Sequence, residues 1–216
     1  MAIAVGMTIV EAGSPGATTG LTGPRTATAN IVAVAQGGGG TVGQVTVKIV
    51  PGSGKVLLDT NPFVETDTQF SAKTAKSVAE QVTGVSLDDR NVVYTFSIRG
   101  DYLGGPSAGA AMTVATIAAI RNATVRQDAV ITGTVRPDGR IGQVGGVVEK
   151  AVAAGNNGMD LFLVPEGQET MTYYERRVEE ERVGPGFAFR DVRYVPRTVD
   201  LSNLTTERFG MAVDAV

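Results

Sequence analysis

The chain has 216 residues, 43% of them hydrophobic and 19% charged, which is typical of a globular protein rather than a disordered or fibrous one. It has no cysteine and no histidine, so thiol proteases, Ser-His-Asp triads, zinc fingers and His-ligated metals are excluded, and we expect neither a metal nor a cofactor. A formal net charge of −3 provides no basic field for nucleic acid, which is therefore not an expected partner.

The beginning of the chain is rich in Gly, Thr and Pro, and we assign residues 1–28 to an N-terminal segment. Residues 1–10 are apolar but lack a positively charged start and are followed by Glu11, so they predict neither a signal peptide nor a membrane span. The compartment stays open. The cytoplasm is favoured, and a membrane-associated or extracytoplasmic place is the alternative if a signal or anchor has been removed.

The next part of the chain predicts strands followed by a helix. Residues 29–35 are typical of a strand. Residues 44–50 alternate polar and apolar side chains, stop at the turn residues 51–54 and resume at 55–58, which predicts a hairpin-like pair. From Ser71 the apolar residues recur at steps of three and four as far as Gly84, which predicts an amphipathic helix.

The second half continues with alternating strands and helices. We predict strands at residues 91–98, 129–135 and 161–164, an apolar helix at 108–120, and a short helix at 147–154 that closes at Gly155. This mixture of hairpins and crossover helices predicts an α+β fold with a mixed sheet and packed helices.

The tail has a different character. Residues 166–182 are dense in charge and predict a solvent-facing helix, whereas residues 187–195 predict a late strand. We assign residues 169–216 to a C-terminal extension of helix and strand packed on the main domain. The charged face is expected to be solvated, and the alternative is an oligomer or partner contact.

One glycine-rich stretch resembles the end of a phosphate-binding P-loop. It runs from Pro51 to Val56, but Ile49 stands where that motif needs its first glycine, and Val56 stands where it needs Ser or Thr. We therefore interpret it as a turn between strands.

A second stretch, residues 105–109, matches the G-x-S-x-G pattern of a hydrolase nucleophile. Ser107 precedes a predicted helix, whose unpaired N–H groups could receive an oxyanion. The alternative is an ordinary helix N-cap, for which serine is common.

A serine without histidine needs another base, and a lysine kept neutral by burial can serve. Lys150 lies in the most apolar surroundings of the candidates Lys48, Lys55, Lys73, Lys76 and Lys150. The alternative for Lys150 is a lysine that extends to solvent from an amphipathic helix.

Together these residues resemble the proteolytic domain of the Lon family of Ser-Lys peptidases. The matching stretches are GGPSAG at residues 104–109, ITGT at 131–134 and GRIGQVGGVVEKA at 139–151. Thr132 follows Ser107 by 25 residues and Lys150 follows it by 43, which are the family's spacings. With VKIVPGSGK at 47–55 and LFLVP at 161–165, the resemblance spans residues 29–168, which we assign to a Lon-like proteolytic domain.

The resemblance implies a role for each matching residue. Ser107 would be the nucleophile, Lys150 the general base, and Thr132 the hydroxyl that orients the lysine amine. The backbone of Ser107 and Ala108 would form the oxyanion hole. The substrate chain would bind along the extended segment that ends in Gly104, Gly105 and Pro106.

Two departures from the family are evident. Many members have an acidic residue shortly before the nucleophile, whereas here Asp101 is the nearest. Most Lon enzymes also carry an ATPase module, for which this chain has neither the length nor a P-loop, so it looks most like the stand-alone archaeal Lon-like proteins.

The resemblance thus implies an ATP-independent serine endopeptidase that cleaves unfolded or accessible polypeptides. It further implies a homo-oligomer, usually a six-membered ring, and leaves room for a separate ATPase partner. The alternatives are a non-catalytic Lon-like scaffold or assembly protein, and a processing protease for one dedicated partner.

Overall fold

A computed structural model describes residues 21–35, 38–60, 63–99, 102–184 and 187–201. These residues form three helices, α1 (Thr66–Thr83), α2 (Gly109–Arg121) and α3 (Val147–Asn156). The strands are β1 (Arg25–Val34), β2 (Gly40–Pro51), β3 (Val56–Thr60), β4 (Phe63–Val64), β5 (Arg90–Ser97), β6 (Tyr102–Leu103), β7 (Ala129–Ile131), β8 (Thr134–Val135), β9 (Ile141–Gly142), β10 (Leu161–Leu163), β11 (Thr170–Gly184) and β12 (Phe187–Asp200).

A six-stranded mixed sheet of order β10-β7-β1-β2-β5-β3 organises the main part of the molecule. Its central strands β1, β2 and β5 are antiparallel neighbours, whereas β3, β7 and β10 join through parallel pairs. Strands with three helices agree with the predicted α+β class. We call β1–β10 with α1–α3 the body, and β11–β12 the arm.

The sheet is covered on both faces. Along β2, Val45, Val47 and Ile49 alternate inward and are fully buried in the core cluster to which α2 contributes, as the two-residue period of a strand requires. Val32 of β1 points the other way and packs with Val147 of α3. The helix α2 is buried on every side, since it lies between α1 and the sheet.

The amphipathic helix was predicted correctly at its end but not at its start. Gly84 closes α1 in a left-handed conformation, and its N–H donates to the carbonyl oxygen of Glu80. The helix begins at Thr66, five residues before the predicted start at Ser71. Its first turn is polar, so the apolar period does not extend there.

The predicted hairpin of residues 44–50 and 55–58 is wrong. The strand β5 lies between β2 and β3, pairing antiparallel with the first and parallel with the second. The intervening turn crosses the end of β5: Ser53 and Lys55 donate their N–H groups to Asn91 Oδ1. The amides of this P-loop-like turn are thereby occupied within the chain.

The predicted charged helix over residues 166–182 is also wrong, because this stretch forms the long strand β11. The prediction considered only the density of charge in this stretch. The structure shows a strand instead, in which Val178 pairs opposite Val192 and Thr172 opposite Thr198 on β12. The late strand at 187–195 is confirmed within β12.

The arm joins the body at its base. Leu201, which follows β12, is buried in the cluster beneath α3, and Met171 of β11 packs against the same cluster. The N–H of Leu201 donates to the carbonyl oxygen of Glu169. Residues 1–20 of the proposed N-terminal segment lie outside the described residues, and none of the described helices is long and apolar enough to cross a membrane.

Candidate active site

Ser107 lies in the turn between β6 and α2. The N–H of Gly109 donates to the carbonyl oxygen of Pro106 over 3.1 Å, which tightens this turn just before the helix. Within the described part of the chain, the N–H groups of Ser107 and Ala108 have no hydrogen-bond acceptor. The turn therefore presents a hydroxyl beside two amides at a helix N-terminus, as an oxyanion site requires.

The next segment of the site is Thr132-Gly133, where the predicted strand at 129–135 is interrupted. The N–H of Gly133 donates to the Ser107 carbonyl oxygen over 3.0 Å, and Ala110 donates its N–H to the Gly133 carbonyl oxygen over 3.0 Å. A Cβ at Gly133 would lie 2.4 Å from Ile141 Cγ2, so only glycine fits. This ladder fixes Thr132 next to the turn of Ser107.

Lys150 projects from α3 into the body and is 3% exposed. Its Nζ donates to Thr132 Oγ1 over 3.2 Å, and Thr132 Oγ1 lies 3.5 Å from the Ser107 carbonyl oxygen. Burial lowers the pKa of Lys150 to about 8, although the carboxylate of Glu149 acts in the opposite direction. The amine is thus buried beside a hydroxyl and has no carboxylate partner among the described residues.

Ser107 and Lys150 line one cavity of about 420 Å³. The predicted substrate-binding residues Gly104, Gly105 and Pro106 form one wall of this cavity. Residues 143–145 also line the cavity. The structure therefore brings together the predicted nucleophile, base and binding segment. Asp101, the nearest acidic residue before the nucleophile, lies outside the described residues.

Sequence reasoning missed three residues of α1 and its N-cap that hold the nucleophile turn. Glu65 Oε2 accepts the N–H of Gly105 over 2.8 Å, and Thr68 Oγ1 donates to the Gly105 carbonyl oxygen over 3.1 Å. Ser71 Oγ donates to the Pro106 carbonyl oxygen over 3.4 Å. Their spacing of three residues, which places polar side chains on one helix face, is the signal that could have found them.

The arrangement places a serine hydroxyl and a buried lysine amine of lowered pKa around one cavity, and these are the groups that nucleophilic chemistry without histidine needs. Among the described residues, no group of three or more acidic side chains is placed to hold a metal ion. A hydroxyl, a buried lysine and free helix-terminal amides are the groups expected in a serine hydrolase that works without histidine.

Comparison with known families agrees with this class. The model of the Lon protease (S16) C-terminal proteolytic domain matches residues 23–173, and the chain belongs to that family. The match covers the body and ends within β11, so most of the arm lies beyond it.

Similar proteins include Lon proteases of bacteria and archaea. The chain is 29% identical to the Lon protease of Fervidobacterium nodosum over 135 residues, which are 61% of this chain and 16% of that protein. It is 33% identical to the Lon protease of Phenylobacterium zucineum over 119 residues, 53% of this chain and 15% of that protein. It is 30% identical to the archaeal Lon protease of Methanocaldococcus jannaschii over 141 residues, 60% of this chain and 22% of that protein. The aligned region thus spans under a quarter of each of these relatives.

Proposed function

We propose that this protein is an ATP-independent serine endopeptidase that uses a dyad of Ser107 and Lys150 to cleave unfolded or accessible polypeptides. The observation that carries the proposal is the burial of Lys150 beside Thr132, at the wall of the cavity it shares with Ser107. A lysine whose pKa is about 8 is partly neutral near neutral pH and can accept the proton of a serine hydroxyl.

In the acylation step, the neutral Lys150 amine takes the proton of Ser107 Oγ while Oγ bonds to the scissile carbonyl carbon. The amides of Ser107 and Ala108 receive the oxyanion. Collapse of this tetrahedral species breaks the C–N bond, and the protonated lysine returns its proton to the leaving amine. Water, deprotonated by Lys150, then attacks the ester carbon. The bond from this carbon to Ser107 Oγ breaks, the protonated lysine returns its proton to Oγ, and the carboxylic acid product leaves.

Substrate binding would use the segment before the nucleophile. The short strand β6 pairs in parallel with β4 and leads into the cavity wall formed by Gly104, Gly105 and Pro106. An extended substrate chain added along this segment would place its scissile bond over Ser107.

The turn at residues 52–55, which resembles the end of a P-loop, is not expected to bind nucleotide. Asn91 Oδ1 accepts two of its N–H groups, so these amides do not face a phosphate. The family resemblance additionally supports a homo-oligomer, with a six-membered ring as the expected form, and leaves room for a separate ATPase partner.

The test is incubation of the purified protein with an unfolded, fluorescently tagged polypeptide in the absence of ATP. We expect cleavage by the wild type and none by Ser107→Ala. Ser77→Ala, which alters an exposed serine of α1, is the matched control and should cleave like the wild type. Equal cleavage by Ser107→Ala would contradict the dyad.

Absence of cleavage by every variant would favour the scaffold alternative, which draws its support from the missing acidic residue just before Ser107. A serine-directed acylating reagent then decides between the two functions. Labelling of Ser107 faster than free serine indicates an enzyme that awaits its particular substrate, whereas unreactive Ser107 indicates a scaffold.

A further inference from the structure

Gln168 makes a paired hydrogen bond to the backbone of the cavity wall. Its Nε2 donates to the carbonyl oxygen of Val144 over 2.8 Å, and its Oε1 accepts the N–H of Val144 over 2.9 Å. A carboxamide has one donor and one acceptor side in the geometry of a peptide group, so it satisfies both backbone groups of one residue. The side chain of Gln168 thereby makes the two backbone hydrogen bonds to Val144 that a neighbouring strand would otherwise make.

Val144, the residue that Gln168 holds, lies between the substrate cavity and α3, the helix that carries Lys150. Gln143, Val144 and Gly145 line the cavity, and Gly146, two residues after Val144, is the N-cap of α3. The N–H of Lys150 donates to the carbonyl oxygen of Gly146 over 3.0 Å. Val144 is therefore part of the cavity lining and is only two residues from the cap of the helix that carries Lys150, so its backbone position affects both.

The two glycines that follow Val144 make its hydrogen bonds to Gln168 important for the conformation of this segment. Gly145 and Gly146 have broad backbone freedom, and Gly146 adopts φ +65°. A Cβ at Gly146 would lie 2.3 Å from Val34 Cγ2, so the connection passes close to the end of β1. The Val144 side chain packs against the cluster beneath α3, and the paired hydrogen bond to Gln168 holds the backbone of this segment before the two glycines.

The segment that carries Gln168 also holds the lysine's partner. The carbonyl oxygen of Leu163, at the end of β10, accepts the N–H of Thr132 over 3.0 Å. The N–H of Gln168 donates to the carbonyl oxygen of Pro165 over 3.0 Å, in a turn that contains Gly167 at φ +81°. Residues 163–168 thus contact both the backbone of Thr132, whose hydroxyl faces Lys150, and the part of the cavity lining around Val144.

We propose that Gln168 is a positioning residue that holds the wall of the substrate cavity and orients the helix of Lys150 toward Thr132. The proposal rests on the proposed peptidase function and adds a residue that touches neither the substrate nor the reacting atoms. Its amide acts through Val144.

The direct test compares Gln168→Met with the wild type. Methionine has a similar length but cannot make either hydrogen bond. We expect kcat/KM for polypeptide cleavage to fall roughly tenfold to a hundredfold, the size of effect that small misplacements of catalytic groups produce. The matched control is Gln81→Met on the exposed surface of α1, which should retain wild-type kcat/KM.

A second readout separates positioning from a general loss of structure. The rate at which an acylating reagent labels Ser107 is measured against pH, which reports the protonation of its base. A loosened wall admits water to Lys150, so we expect the midpoint of this profile to rise in Gln168→Met. Burial lowers the pKa of Lys150, and the carboxylate of Glu149, its neighbour on α3, raises it. The described residues that line the cavity with Lys150 are uncharged, so we expect the change in the midpoint to report the exposure of the amine to water.

Gln168→Asn provides a variant that disturbs folding less, since it keeps the amide and shortens it by one methylene. It should show a smaller fall in kcat/KM and a smaller rise in the midpoint of the labelling profile than Gln168→Met. Unchanged kcat/KM and an unchanged midpoint in both variants would overturn the proposal, as would activity that falls only in proportion to the unfolded fraction. Equal activity of Ser107→Ala would instead contradict the peptidase function, so the two failures are distinguishable.

Discussion

The body and the arm place positive charge in opposite environments. In the body, Lys150 is 3% exposed, faces the hydroxyl of Thr132 and has its pKa lowered to about 8 by burial. In the arm, the side chain of Arg193 is 66% exposed and donates to Asp191 over 2.7 Å, and this carboxylate raises its pKa.

The difference indicates that burial, and not the number of nearby charges, lowers the pKa of a cationic side chain. Exposed cations with carboxylate partners stay protonated and contribute little to stability. A buried amine without a carboxylate partner can release its proton near neutral pH, which is what general-base catalysis needs. The sequence is densest in charge in the arm, whereas the candidate chemistry lies in the body.

The largest expected effect is the loss of Lys150. Lys150→Met should lower the rate of peptide cleavage by roughly 10²- to 10⁴-fold, the range that a general base contributes. The measurement is cleavage of a fluorogenic peptide at saturating substrate. Arg193→Met in the arm is the control and should leave the rate unchanged, whereas a comparable loss in both variants would break the comparison.

The pH dependence of the wild type sharpens the same contrast. Only the neutral amine accepts a proton, so the cleavage rate should rise with pH through about 8 and then level off. Below this pKa the neutral fraction falls about tenfold per pH unit. A rate that stays constant from neutral to alkaline pH would contradict a lysine base.

Burial of Lys150 also has a cost in stability. Because its folded pKa of about 8 lies below the ordinary value of 10.5, the unfolded chain binds more protons between these values. The free energy of unfolding should therefore rise with pH across this window, by about 3 kcal/mol at most. Lys150→Met should remove that rise and be more stable than the wild type at pH 7. The measurement is denaturant unfolding of both proteins at pH 7 and at a pH above the window.

Removing the lysine's hydroxyl partner should have an intermediate effect. Thr132→Val keeps the shape of the fully buried side chain but leaves the amine without an acceptor, so activity should fall roughly tenfold to a hundredfold. Thr132→Ser should restore most of the cleavage rate. A Thr132→Val enzyme as active as the wild type would show that the hydroxyl does not orient Lys150.

The smallest expected effect is on the free energy of unfolding, and it is found by comparing the same substitution at two strand positions. Val47 of β2 is fully buried, whereas Val192 of the arm is 39% exposed. Val47→Thr buries a hydroxyl and should lower the free energy of unfolding by about 1–3 kcal/mol. Val192→Thr should change it by less than about 0.5 kcal/mol. Equal losses in denaturant unfolding would mean that the arm is packed as tightly as the body.

Periodicity predicted the elements of the body better than those of the arm. Apolar residues at steps of three and four mark the buried faces of α1 and α3, because a helix packed on one side against the body needs one apolar stripe. Residues 166–182 have no such stripe, and charge alone is compatible with either a helix or a strand. Pairing with β12 decided that this stretch is a strand.

The sequence by itself determined the family, the α+β class and the three residues Ser107, Thr132 and Lys150 as site candidates, because these depend on local patterns and on spacing along the chain. Only the tertiary structure decided that β5 separates β2 from β3 and that Lys150 is buried against Thr132. It also decided that Glu65 and Gln168 hold the two sides of the cavity. Contacts between residues distant in sequence depend on how the sheet orders its strands and on which surfaces the helices cover, and a linear pattern does not contain that information.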